Sequence, residues 1–148
     1  MKKSGILNTE LARLVARMGH GDMLAITDRG FPFPVHSQTE CIDLSVCRDV
    51  PKVADVIKAT LEELEVEEVI IANETAKHSP DTNKEFLQIV SNITHKGKPV
   101  KVSRMSHSEL KKTILCGALV GKQQCGIVKC GEFTPFANMV LVSGVDYS

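Results

Sequence analysis

The chain has 148 residues, 43% of them apolar and 24% charged, which suits one domain around one core. Lysine plus arginine equals aspartate plus glutamate at 18 each, so nothing calls for nucleic acid or an anionic membrane, and one brake on self-association is missing. No run approaches the ~20 apolar residues of a membrane span, the start Met1–Leu7 lacks the apolar stretch of a secretory leader, and aromatics at 4% with no Trp argue against a platform for stacking bases or large flat ligands.

In chain order, Asn8 predicts an N-cap, followed at helical spacing by Leu11, Leu14, Val15 and Met18, with Gly19 as the stop. Met23 to Thr27 reads as a short buried strand. Arg29 to Pro34 is a loop, because its two prolines block ladder bonds. Cys41 to Leu44 is a second strand. Pro51 suits the first turn of a helix that buries Val53, Val56, Ile57, Leu61 and Leu64. Val69 to Ala72 is the clearest strand. Ser79-Pro80 opens a helix with the stripe Phe86, Leu87, Val90 and Ile93.

Val100 to Met105 reads as a half-exposed strand, since Lys101, Ser103 and Arg104 interrupt it. Ser106 to Glu109 has the spacing of a capping box and opens a helix containing Leu110, Ile114 and Leu119. Gly126 to Cys130 and Asn138 to Ser143 are the last strands, spaced closely enough for a hairpin. Helices between short apolar strands predict one α/β domain over residues 1–148, with a largely parallel sheet that such a hairpin would make mixed.

The five cysteines include no C-x-x-C pair, so no metal site is expected of them. Reduced, mostly buried thiols in a cytoplasmic protein are expected instead. Two polar islands carry the chemistry. Gly19-His20-Gly21-Asp22 precedes one apolar run, which ends at Asp28, and Gly131-Glu132-Phe133-Thr134-Pro135-Phe136-Ala137-Asn138 precedes another. Ligand chemistry in α/β sheets collects at strand ends. A histidine can exchange a proton there at neutral pH. The pattern is an acid–base site with no cofactor motif.

Lys3 to Asp28, with its Gly19-His20-Gly21-Asp22 and Asp28-Arg29-Gly30 spacing, the His107 segment, and the block from Gly131 to Asn138 together resemble the D-ribose pyranase / L-fucose mutarotase family, RbsD/FucU. The likeness runs in order along nearly the whole chain. It implies a three-layer α/β/α fold and a ring-shaped homo-oligomer, commonly a decamer of two stacked pentamers, with sites where subunits meet. It also implies a monosaccharide substrate, interconversion of cyclic sugar forms, and no metal or organic cofactor. On this resemblance His20 is the proton donor, Asp28 is catalytic and contacts substrate, and His107, Phe136, Ala137 and Asn138 contact substrate. Asp28 would orient either a sugar hydroxyl or His20.

The chain departs from the family at three places. Phe136 stands where tyrosine is usual, Arg29 follows the aspartate in place of a small residue, and Val35 to Glu40 is longer than its ribose-type counterpart. Each assignment has a plainer competitor. His20 could compensate a helix dipole, Asp28 could cap its loop, His107 could be solvated, and Asn138 could satisfy turn backbone. His36, His78 and His95 read as surface histidines, and the run Glu62, Glu63, Glu65, Glu67, Glu68 as a solvated helix end. The leading expectation is ribose pyranose–furanose exchange. L-fucose mutarotation, or a catalytically weak sugar binder suggested by Phe136, are the alternatives. A structural partner of a sugar transporter or kinase has no positive signal.

Overall fold

Helices and strands alternate along the computed structural model, which describes residues 1–35, 38–119 and 122–148. The Asn8 side-chain oxygen accepts from the Leu11 amide at 2.9 Å and opens α1 (Thr9–Arg17), whose Leu11, Leu14 and Val15 turn inward. The helix stops at Met18, and a turn through Gly21 (φ 82°) feeds β1 (Asp22–Thr27). Then come β2 (Glu40–Asp43), α2 (Val53–Leu61), β3 (Val66–Ala72), α3 (Asn73–His78) and α4 (Pro80–Ser91). A small hairpin of β4 (Thr94–His95) and β5 (Lys98–Pro99) leads to β6 (Lys101–Met105) and α5 (His107–Cys116). The chain closes with β7 (Ala118–Leu119), β8 (Lys122–Lys129) and β9 (Met139–Ser143).

The main sheet has the order β2-β8-β1-β9-β3-β6, with β7 on β8. The strands β1, β2, β3, β6 and β8 run in one direction, and β9 runs against its neighbours β1 and β3. Alternation along the strands divides the core. Leu24, Ile26, Val69, Ile71, Met139 and Leu141 pack on one face with α1, α2 and α4. Met23, Ala25, Ile70, Val140 and Val142 pack on the other with Phe31 and with Leu110 and Ile114 of α5. This is the expected three-layer arrangement.

The sheet is mixed for a different reason than a terminal hairpin. The segment between β8 and β9 is stitched to the residues that follow β1: Cys130 N donates to Thr27 O at 2.9 Å, and Arg29 N to Glu132 O at 2.8 Å. It therefore crosses the end of β1, and β9 descends on that strand's far side. Pro51 follows a cis bond and lies before the helix, not in its first turn. Asp55 accepts from Lys52 N at 3.1 Å and Glu132 from Val53 N at 3.1 Å, and these acceptors fix the start at Val53. Leu64 is buried, but in the turn after α2. Leu119 lies in β7, because α5 ends at Gly117 in the left-handed region (φ 79°). Leu87 faces outward, 36% exposed.

The thiols also differ from expectation. Cys41 on an edge strand, Cys47 in a loop and Cys116 in the last turn of α5 are exposed, and Cys130, the first residue of the crossing segment, is buried. The acidic run is not one solvated end. Because β3 begins at Val66, Glu68 falls inside the sheet at 7% exposure, where it meets Lys122 at 2.9 Å and the Ser103 hydroxyl at 2.6 Å. His95 is half-buried against Glu65 at 2.5 Å, whereas His78 is exposed. His36 lies outside the described residues, as does part of the Val35 to Glu40 stretch. Among the described residues no helix is long and apolar enough to cross a membrane.

Candidate active site

Register explains how residues over a hundred positions apart come together. Ile26 of β1 pairs with Met139 of β9, and because the strands are antiparallel, Asp28 and Asn138 emerge side by side. Asn138 is fully buried and grips Asp28 twice. Its Oδ1 accepts from Asp28 N at 2.9 Å, and its Nδ2 donates to Asp28 Oδ2 at 3.1 Å. Burial raises the Asp28 pKa, while the Asn138 bond, the Gly30 amide and the His107 imidazole oppose the rise. Asp28 is thus a half-buried carboxyl held in one orientation at a strand end.

Strands β3 and β6 deliver the next groups at the same edge. Ala72 pairs with Met105, so Glu74 and His107 follow together. Glu74 accepts from His107 N at 2.7 Å and so caps α5, beside the bond from Glu109 N to the Ser106 hydroxyl at 3.2 Å. The amides of Glu74 itself and of His107 hold the Glu74 carboxyl below its ordinary range. The half-buried His107 ring stands edge-on to Phe136 at 4.9 Å between centroids. Its Nδ1 is buried and has no hydrogen-bond partner among the described residues.

Phe136 has φ 59°, unusual for a bulky residue. Its carbonyl accepts from the Thr75 hydroxyl at 2.7 Å and from Asn138 N at 2.9 Å, which locks the turn. The Ser79 hydroxyl donates to Pro135 O at 2.7 Å, so this serine fastens the turn and does not cap its own helix. His78 lies over the same ring at 5.3 Å. Ala137 is fully buried. A cleft of about 320 Å³ opens beside this cluster, lined by Asp28, Arg29, Gly30, Glu132, Phe133, Thr134 and Pro135. Glu132, only 4% exposed, accepts from Val53 N and from the Thr134 hydroxyl at 2.6 Å. Arg29 turns to Asp43 at 2.6 Å. Burial works against the Asp43 charge, but Arg29 and Ser45 more than offset it and hold the carboxyl at about 2.

His20 does not join this cluster within one chain. It precedes β1 while Asp28 follows it, and at ~3.3 Å per residue the strand separates them by about 20 Å. His20 is exposed at the opposite edge of the sheet, in a depression of about 390 Å³ with Gly21, Asp22, Lys122 and Gln123, and its Nε2 lies 3.2 Å from Glu67 Oε2. Reasoning from sequence gave Glu74 and Glu132 no role and placed His78 on a plain surface. The strand-end rule alone flags Glu74, two residues past β3. Glu132 carries no such signal, because the α2 terminus it caps lies far away in sequence. Among the described residues no group of three metal-ligating side chains converges.

Residues 1–146 match the RbsD / FucU transport protein family. A D-ribose pyranase of Clostridium perfringens is 43% identical over 145 residues, 98% of each chain. The D-ribose pyranase of Coprothermobacter proteolyticus is 41% identical over 145 residues, also 98% of each chain. Among solved structures, Bacillus subtilis RbsD complexed with D-ribose superposes with a TM-score of 0.82 at 33% identity, covering 99% of this chain and 100% of that one. A fucose mutarotase from Streptococcus pneumoniae in complex with L-fucose shares the fold, with a TM-score of 0.69 at 17% identity over 95% of this chain and 94% of that one. Full-length coverage, ordered motifs and the common fold make this chain a member of the RbsD / FucU family.

Proposed function

We propose that the protein is a D-ribose pyranase, which interconverts the pyranose and furanose forms of free D-ribose by acid–base ring opening. The observation that carries this reading is the 43% identity, over 98% of the chain, to a D-ribose pyranase. The strand-end cluster supports it with suitable chemistry. Opening the pyranose breaks the bond between C1 and the ring oxygen. A proton is added to that oxygen, and the anomeric hydroxyl loses one to become the aldehyde oxygen. Closure to the furanose brings the C4 hydroxyl oxygen to C1, with its proton removed and the aldehyde oxygen protonated. The reaction runs unaided in water, so ~10²–10⁴-fold from positioned acid–base groups is a sufficient task.

His20 is the proton donor to the ring oxygen, and Asp28 orients and deprotonates a sugar hydroxyl. His107 offers its unpartnered Nδ1 to a second hydroxyl. Phe136 forms an apolar wall, and Ala137, fully buried, belongs to the core behind it. Asn138 spends its carbonyl oxygen on Asp28, so it acts on sugar mainly through that carboxylate. The strand-length separation of His20 from Asp28 supports a site completed by two copies. The His20 edge of one chain would face the Asp28 edge of the next in a ring-like homo-oligomer, with a decamer as the expected size. The exposed apolar side chains Leu7, Val46 and Phe133 are available to such contacts. Three exposed thiols favour the reducing cytoplasm.

Magnetisation transfer between pyranose and furanose signals tests the reading, run with ribose, fucose and galactose. Ribose exchange well above the buffer rate is expected, and His20→Ala should lose most of it while melting normally. Unchanged exchange in the well-folded variant would refute the role of His20. Ribose binding without exchange would favour the weak sugar binder that the missing hydroxyl of Phe136 suggests.

A further inference from the structure

We propose that Glu67 is the positioning residue of His20, holding the imidazole in the tautomer with the proton on Nε2 and leaving Nδ1 to exchange a proton with the sugar. This rests on the ring-opening role given to His20 above. Glu67 Oε2 lies 3.2 Å from His20 Nε2. A carboxylate only accepts hydrogen bonds, so the shared hydrogen belongs to Nε2. A neutral imidazole carries one N–H, which makes Nδ1 the lone-pair nitrogen. To act as the donor, Nδ1 first takes a proton from solvent; the resulting imidazolium has its counter-charge already in place, gives that proton to the ring oxygen and returns to the neutral Nε2–H form. The N–H···O bond persists through both states, so the ring need not turn over between accepting and donating.

Three features fix the pair. Val66 pairs with Ser143 and Glu68 with Val142, so Glu67 is the extra residue of a β-bulge and has no register partner on β9. Bulges re-aim a side chain. On the histidine side, Asp22 Oδ2 accepts from Gly19 N at 2.8 Å and Gly21 N donates to Ser143 O at 2.9 Å. The turn carrying His20 and the strand beside Glu67 are thus tied to the same stretch at the end of β9. Gly144 completes the support: a Cβ there would fall 3.0 Å from Glu67 Cβ and 2.8 Å from His95 Cε1. Neighbouring charges have their own partners, since Glu65 takes His95 and Glu68 takes Lys122. The His20 side chain is 59% exposed and that of Glu67 30%, so the pair adds little to folding. Its consequence is the orientation of the ring.

The test is nitrogen-15 NMR of the imidazoles in the intact assembly labelled at histidine, with His20→Asn to assign the His20 signals. The Nε2–H tautomer is expected in the natural protein, and Glu67→Gln, whose amide both donates and accepts, should give a mixture. Ribose exchange at saturation should fall about 10- to 100-fold in Glu67→Gln, on the scale of other orienting partners. Half-saturation should stay within about twofold, and Glu67→Asp should recover part of the rate, since it keeps the acceptor. An Nδ1–H tautomer in the natural protein would overturn the proposal, and that measurement needs no variant. Full exchange in Glu67→Gln, where His20→Ala has lost it, would also overturn it. Full exchange in His20→Ala would instead remove the role of His20 itself.

Discussion

Asn138→Ala cuts both bonds that hold Asp28, and its cost should depend on pH in a direction the geometry sets. The Asp28 amide loses its acceptor at 2.9 Å, which leaves a donor unsatisfied at about 1–3 kcal/mol whatever the pH. The bond from Nδ2 to the carboxyl, at 3.1 Å, is different. It contributes about 1.5–3 kcal/mol to a charged acceptor but about 0.5–1.5 to a neutral one. Half-exposure of the site keeps the charged figure at its low end. Burial raises the folded-state pKa of Asp28, and Asn138 pulls it down. A carboxyl raised on folding favours the folded state below its unfolded pKa and loses that contribution as pH rises through the folded one. Without Asn138 the folded pKa climbs further, so the variant loses more than the natural protein between about pH 4 and pH 7. The expected destabilisation from these two bonds is about 2.5–4.5 kcal/mol at pH 7 and up to about 1 kcal/mol less near pH 4. Urea unfolding at fixed protomer concentration measures both, because oligomers make midpoints concentration-dependent. The packing lost with the side chain does not vary with pH, so the difference isolates the carboxyl bond. A cost that is flat or falls with rising pH would refute the clamp on a charged Asp28.

Phe136→Tyr restores a hydroxyl beside His78 and His107; ribose affinity should change by about 0.5–1.5 kcal/mol, with little change in exchange at saturation. Exchange measured at saturating and sub-saturating ribose checks this, and a tenfold gain at saturation would mean that the missing hydroxyl limits proton transfer. Thiol modification followed by peptide mapping should label exposed Cys41, Cys47 and Cys116 in the folded protein and spare Cys130, whose pKa is pushed to about 12 by burial and nearby carboxylates. Rapid labelling of Cys130 would place that thiol outside the core.

The sequence by itself determined the class of fold, most of the strands and the two polar islands, because each rests on local physics. Alternating helical and strand periods are written in the apolar positions, and Asn8 and Ser106 are caps whose hydrogen bonds reach only three residues. The ordered motifs then carried the family, and with it Asp28, His107, Phe136 and Asn138 as one expected cluster. Tertiary structure decided everything that depends on which strand lies beside which. The crossing of residues 130–138 over β1 puts β9 between β1 and β3, and this alone makes Asn138 a clamp on Asp28. The start of α2 is settled by Glu132, seventy-nine positions away, and not by Pro51. A run of glutamates looks uniform until strand pairing divides it, sending Glu68 to Lys122 and Glu67, through a bulge, to His20. His20 and Asp28 look close in sequence, yet the six extended residues of β1 lie between them and set them at opposite ends of that strand.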